Sequence, residues 1–298
     1  MSTQLARHTD SSALPRPEGP RSPLLSDAWT ITWRNVLKFK RSPDYVVFAV
    51  LQPIMFVLLF SQVYGGSIRV EGTNYTDYLM AGIFGQTVLF GATFSGFGMA
   101  QDLKDGIIDR FRTLPMHPAA VLIGRTAADL ALNTISMVIM ILTGLVVGWR
   151  FHEGPLAFLG GIGLLLLFSY AFSWVMALIG MLVRTPEVIN NASFMILFPL
   201  TFISNAFVQS QNLPGPLQAF ANWNPVSALV QAARSLFGNV GQAPTPEALP
   251  MRYPIATVLI GSVLMLAIFV PLAVSRSSSL LSSKFTGRRI RSSKSTAW

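Results

Sequence analysis

Cysteine is absent from the 298 residues, histidine occurs three times, and only 12% of the residues are charged. Without cysteine the chain can form neither disulfides nor thiolate metal sites. His8, His117 and His152 lie far apart in sequence, which disfavours a histidine-built metal centre or catalytic site, and no metal ligands are assigned. No Gly-x-x-x-x-Gly-Lys-Ser/Thr run is present, so the chain has no P-loop with which to bind a nucleotide. Soluble domains carry about a quarter charged residues, so the shortage of charge excludes an ordinary water-soluble domain. The reading is of a non-catalytic chain with no cofactor of its own.

What the sequence does contain is apolar: 51% hydrophobic residues and a mean hydropathy of +0.50. Six stretches are long enough to cross a hydrocarbon core about 30 Å thick: Tyr45 to Val63, Tyr78 to Met99, Leu130 to Gly148, Leu156 to Val183, Val188 to Val208 and Pro254 to Ser275. None holds Asp, Glu, Lys or Arg. The runs are apolar on all faces, whereas barrel strands alternate over about ten residues, so the expected class is an all-α membrane protein with six transmembrane helices.

If the spans alternate sides, 18 Lys and Arg residues fall on the side of the termini and four, Arg69, Arg150, Arg234 and Arg252, on the other. The positive-inside rule then puts both termini in the cytoplasm, in a multi-pass inner or plasma membrane protein. It also accounts for the net charge of +9 without invoking nucleic acid. Residues 1–25, rich in Pro and Ser with no apolar run, read as a disordered cytoplasmic leader and show no cleavable signal. Residues 276–298 read as a basic, Ser-rich cytoplasmic tail, either disordered and drawn to anionic membrane lipid or merely solvated.

Three segments outside the spans are too patterned for plain loops. Residues 26–43 place Trp29, Trp33, Val36 and Leu37 at helical spacing, with Asp27 in the first turn and Lys38, Lys40 and Arg41 in the last. That suits an amphipathic helix along the cytoplasmic interface, as an anchor or as a contact for a partner. Between Ala100 and Asp129 charge and apolar groups alternate at helical spacing, so span 2 is expected to continue to Pro115 and a new helix to open at Pro118. Leu114, Met116 and Val121 there either pack on the bundle or offer a docking surface ringed by Arg. The 45 residues from Gln209 to Tyr253, on the outer side, carry Leu217, Phe220 and Trp223 on one short helix. Asn224 and Pro225 then open a second one, with Leu229 on its apolar face and Gly238 at its end. This pair reads equally as a lid, a re-entrant hairpin or plain packing.

The spans contain uncharged polar groups, for which hydrogen bonds between helices are the ordinary role. The sharper role is to line a path for a bulky, weakly polar solute, and the candidates are Gln52, Phe56, Gln86, Phe90, Asn133, Asn190, Thr201 and Asn205. Pro53 adds a kink and a freed carbonyl beside Gln52.

The run Gly106-Ile107-Ile108-Asp109-Arg110-Phe111-Arg112-Thr113-Leu114-Pro115-Met116, with Ala120 to Arg125 and Asp129, resembles the cytoplasmic loop of ABC-2 type permeases of the daunorubicin-resistance group. Phe198 to Phe207, continuing through Leu213-Pro214 to Trp223-Asn224-Pro225-Val226, resembles a second stretch of that family. The resemblance covers about Ser26 to Ser275. It implies a coupling region within Asp109 to Arg125, with Asp109, Arg110, Phe111, Arg112, Leu114, Met116 and Arg125 facing a separate ATPase subunit. It also implies two copies of that ATPase, which carry ATP and Mg, and a second permease, identical or homologous. The function it implies is export of amphipathic or hydrophobic drugs or lipid-like metabolites, as against a passive channel or a structural scaffold without ATP coupling.

Overall fold

The computed structural model describes residues 24–41, 43–64, 70, 72–107, 118–183, 185–242 and 246–294. Among them every element is helical, apart from one antiparallel bridge between Val70 and Thr73. In chain order the helices are α1 (Leu24–Arg41), α2 (Pro43–Tyr64), α3 (Tyr75–Lys104), α4 (Pro118–Val147), α5 (Pro155–Leu182) and α6 (Pro186–Phe202). A 3-10 turn at Ser210–Asn212 follows, then α7 (Gly215–Trp223), α8 (Pro225–Phe237), α9 (Leu249–Arg252) and α10 (Pro254–Lys294). Six of these helices open on proline, where the missing N–H has no helical partner to lose and the fixed φ already suits the helix.

Among the described residues four helices are long and apolar enough to cross a membrane: α3, α4, α5 and the Pro254–Ser277 part of α10. Helix α2 has 22 residues with an apolar stretch at Leu51–Val63. Helix α6 has 17, about 25 Å at 1.5 Å per residue. The fifth stretch was expected to run to Val208, but the helix stops at Phe202 and the chain turns. The carbonyls at its end are taken by side chains: Asn224 Nδ2 donates to those of Leu200 (2.7 Å) and Ile203 (3.2 Å) and Ser204 Oγ to that of Thr201, while Arg234 holds those of Asn205 and Ala206 just beyond.

Helix α3 ends at Lys104, ahead of the expected break at Pro115, with Gly106 just beyond it at φ 66°. That left-handed turn suits glycine, which has no Cβ to clash. The new helix does begin at Pro118. Helix α10 continues through Lys294, where the sequence suggested a disordered tail; residues 276–294 contain no proline to stop it.

Helix α3 is the axis of the fold, packed against α2, α4, α5, α6 and α8. Its crossing with α5 is close because Gly96 and Gly180 face each other, and a Cβ on Gly96 would stand 2.6 Å from the Met176 carbonyl oxygen. Helix α8 is inserted into the bundle, burying Val226 to Arg234 and Phe237. Asn224 caps it by accepting from the Val226 N–H (2.9 Å), and Gly238 ends it in the left-handed region. Phe84, Trp149 and Phe237 meet edge to face at 5.2 to 5.9 Å around that insertion. Helix α1 lies against α4, burying Ala28, Ile31 and Asn35 and leaving Trp29 and Trp33 exposed.

Candidate solute cavity and its link to the α3–α4 end

Helices α2 and α6 each pack against α3 but not appreciably against each other. Between them, floored by α3 and α4, lies a cavity of about 180 Å³. Six of the eight residues expected from sequence line it: Gln52 and Phe56 from α2, Gln86 and Phe90 from α3, Asn133 from α4 and Asn190 from α6. Periodicity explains the convergence. Gln86 and Phe90 are four apart on one face of α3, as Gln52 and Phe56 are on α2, so each helix presents an amide and a ring together.

Thr201 and Asn205 are elsewhere. Thr201 Oγ1 donates to the Leu197 carbonyl (2.7 Å) and Asn205 Nδ2 to Gln231 Oε1 (3.1 Å), in the joint between α6 and α8. Thr93 and Phe94 of α3 also line the cavity, as do Ser136 and Phe194, which sequence reasoning missed as lining groups. Phe194 lies four residues beyond Asn190 on the same helical face, a spacing that was available as a signal.

The polar groups at the wall differ in what they are bound to. Asn133 Nδ2 donates to Ser169 Oγ at 2.8 Å, and Ser169 Oγ to the Val88 carbonyl at 3.2 Å. This chain joins α3, α4 and α5, the structural role expected of polar groups in a bilayer. Gln86 is different. It is buried, yet its Oε1 has no hydrogen-bond partner, an arrangement that costs about 1–3 kcal/mol unless a donor arrives. Phe90 and Phe194 sit 5.4 Å apart across the cavity edge. Among the described residues the lining carries no ionised side chain.

One turn from the cavity, Arg125 of α4 lies buried over Gly98, where a Cβ would occupy the guanidinium's place. Its Nε is 3.3 Å from Asp129 Oδ2, and its Nη2 donates to the carbonyl of the cavity residue Phe94 at 3.1 Å. Ser95 Oγ donates to the same Asp129 oxygen at 2.5 Å. Asp102 and Asn35 are buried nearby in the fold, and burial lowers the pKa of Arg34 on α1 while Asp102 opposes the shift. Lys104 and Glu187 pair at 3.1 Å across the exposed ends of α3 and α6. Of the expected coupling residues, Arg125 is thus inside the bundle, while Asp109, Arg110, Phe111, Arg112, Leu114 and Met116 lie outside the described residues.

On the helices after α6, Leu217, Phe220 and Trp223 are exposed and Leu229 is fully buried. Arg234 was read from sequence only as a charge on the sparsely charged side. It is fully buried, with Nε donating to the Tyr78 carbonyl (3.0 Å), Nη2 to those of Asn205 (2.7 Å) and Ala206 (3.0 Å), and its guanidinium over the Tyr78 ring. The available signal was its place one position beyond Ala233 on the apolar face of α8.

Comparison with known proteins decides the family. The ABC-2 type transporter family matches residues 26–238. The chain belongs to that family. It is 31% identical over 255 residues, 85% of its length and 87% of the relative's, to the daunorubicin resistance ABC transporter permease protein DrrB1 of Streptomyces coeruleorubidus. It is 26% identical to the doxorubicin resistance ABC transporter permease protein DrrB of Mycobacterium tuberculosis, covering 78% of this chain and 80% of that one. A putative transport permease, ycf38, of Pyropia yezoensis matches at 25% over 73% of the chain and 76% of its own length. This ABC-2 chain is therefore a multi-pass membrane protein of the permease kind, the membrane component of an ABC transporter.

Proposed function

We propose that this chain is the membrane-spanning subunit of an ATP-driven exporter of amphipathic or hydrophobic solutes, either drugs or lipid-like metabolites. The observation that carries the reading is the cavity between α2 and α6: aromatic faces and amides without a fixed charge. A free metal ion or small anion would leave water there with no counter-charge, at a cost of several kcal/mol. A large, weakly polar molecule loses little and gains ring contacts, and a delocalised cation gains the ring faces as well. The drug-resistance names of the relatives favour the same class.

In this reading α2 and α6 are the two remaining spans, both termini are cytoplasmic, and two permease chains, identical or homologous, face each other. Size supports the pairing: about 180 Å³ falls short of the roughly 300–1,000 Å³ of drug-sized pockets, and two such cavities face to face reach that range. Two copies of a separate ATPase hold ATP and Mg and dock on the loop from Asp109 to Met116. Phe111, Leu114 and Met116 fill an apolar groove there, with Arg110 and Arg112 pairing at its rim. Arg125 then transmits rather than docks, since it links the start of α4 to the carbonyl of Phe94 at the cavity.

The test is transport of a lipophilic cationic fluorophore in sealed vesicles holding the permease with or without its ATPase. Uptake that needs both the ATPase and hydrolysable ATP is expected. Equilibration of solute by the permease alone, indifferent to ATP, would make the chain a passive channel and overturn the reading.

A further inference from the structure

A second cavity, about 540 Å³, lies between α8, α9 and the first turn of α10, at the opposite end of the bundle from Arg125. Ser235 is engaged within α8, its Oγ donating to the Ala232 carbonyl at 2.8 Å, which leaves Gln231, Arg252 and the start of α10 as the donors at the wall. Gln231 is 9% exposed; its Oε1 accepts from Asn205 Nδ2, which leaves its Nε2 hydrogens unengaged at the cavity wall. Arg252 lies 5.6 Å from the Tyr253 ring centre and pairs with no carboxylate among the described residues. Helix α10 starts at Pro254, and its first helical bond from the entering turn is Thr257 N to the Tyr253 carbonyl. The N–H groups of Ile255 and Ala256 therefore precede the ladder, at the positive end of the helix dipole.

The other walls are apolar, including Met251 and Leu259. The hydrocarbon surface does not stop at the cavity. It continues down the outer side of α10 through the exposed Ile260, Val263, Leu264 and Ile268. One end thus asks for an oxyanion, and the adjoining face asks for acyl chains. Tyr253, more than half exposed beside Arg252, is the kind of residue that sits at headgroup level.

We infer that this cavity holds the headgroup phosphate of an anionic phospholipid, with Arg252, Gln231 and the α10 N-terminus donating to it and the acyl chains lying along α10. A zwitterionic lipid fits less well, because its ammonium group would meet Arg252 and the helix dipole with no carboxylate among the described lining residues to receive it. The bound lipid bridges α8, α9 and α10 from the bilayer side. In the orientation proposed above this is the outer leaflet, but the chemistry of the site does not depend on which side it faces.

The test uses the full-length chain purified in a neutral detergent and titrated with phosphatidylglycerol, phosphatidylcholine, diacylglycerol of the same chains, and glycerol phosphate, with binding read by native mass spectrometry and by thermal shift. Phosphatidylglycerol should bind about tenfold more tightly than phosphatidylcholine or diacylglycerol, and glycerol phosphate alone should not bind measurably. Arg252→Ala should lower phosphatidylglycerol affinity about tenfold, as loss of a charge-assisted hydrogen bond does, with Arg252→Lys recovering part of it. Lys104→Ala, at the far end of α3, should change nothing. Equal binding of phosphatidylglycerol to wild type and Arg252→Ala, or no preference over diacylglycerol, would overturn the proposal. Binding of glycerol phosphate as tight as that of the lipid would overturn it in favour of a free-phosphate site. None of these outcomes involves the ATPase or transport, so failure here is separable from failure of the exporter reading.

Discussion

Two amides at one cavity wall have opposite roles, and their bonding separates them. Asn133 is tied to Ser169 and through it to α3, so replacing it by leucine should cost about 1 kcal/mol of stability, the usual worth of an interhelical hydrogen bond in a bilayer. Gln86 carries a buried oxygen with no partner. Gln86→Leu should therefore leave the chain as stable as before or more so, since removing an unsatisfied acceptor relieves a cost, yet should lower the transport rate severalfold if solutes use that oxygen. Thermal unfolding and transport measured on the same two variants check this. A Gln86→Leu protein that unfolds earlier while transporting normally would make Gln86 structural. Sequence alone nominated both residues, because amides in an uncharged span stand out, but it had no means of telling which of them was already bonded.

Among the elements, α4 carries most of the mechanical argument. It begins next to the loop from Asp109 to Met116 and runs past the cavity, with Arg125 and Asp129 one turn apart on its buried side. Breaking one half of a buried pair leaves the other charge uncompensated, at about 3–5 kcal/mol. Arg125→Ala should thus lower the unfolding temperature markedly, and adding Asp129→Asn should restore most of it. If Arg125 also transmits motion from loop to cavity, the double variant should be stable but poorly coupled, hydrolysing ATP with little transport. Full transport by the double variant would reduce Arg125 to a structural role.

The helices themselves were largely legible: proline starts, the Asn224 cap and the Gly238 stop are local signals, and apolar runs marked the long spans. What was not legible depends on distant partners. The fifth stretch ends early where Asn224, 24 residues on from Leu200, takes that residue's carbonyl and that of Ile203, and Arg234 then holds that of Asn205. No periodicity in Val188 to Val208 encodes that capture. The Arg125–Asp129 spacing of four on α4 was legible, but Arg125 read as a docking charge because the Phe94 carbonyl and the Gly98 surface that hold it inside belong to α3 and meet it only when α3 and α4 pack.

For the whole molecule, the fold presents an open side. Helices α2 and α6 border the cavity without closing it, and both expose large apolar residues, among them Leu51 and Met55 on α2 and Met195 and Ile196 on α6. A second permease facing this side would complete the lining and cover those residues together. The central claim is that solute passes through this cavity, and the absence of native cysteine permits a direct measurement. In Thr93→Cys the thiol lines the cavity, while in Val263→Cys it lies on the exposed side of α10. Each variant is assembled with the ATPase in vesicles, modified to completion with a bulky maleimide, and assayed for ATP-driven transport. Modification at position 93 should abolish transport, and modification at 263 should leave it unchanged. Undiminished transport by fully modified Thr93→Cys would contradict a path through the cavity.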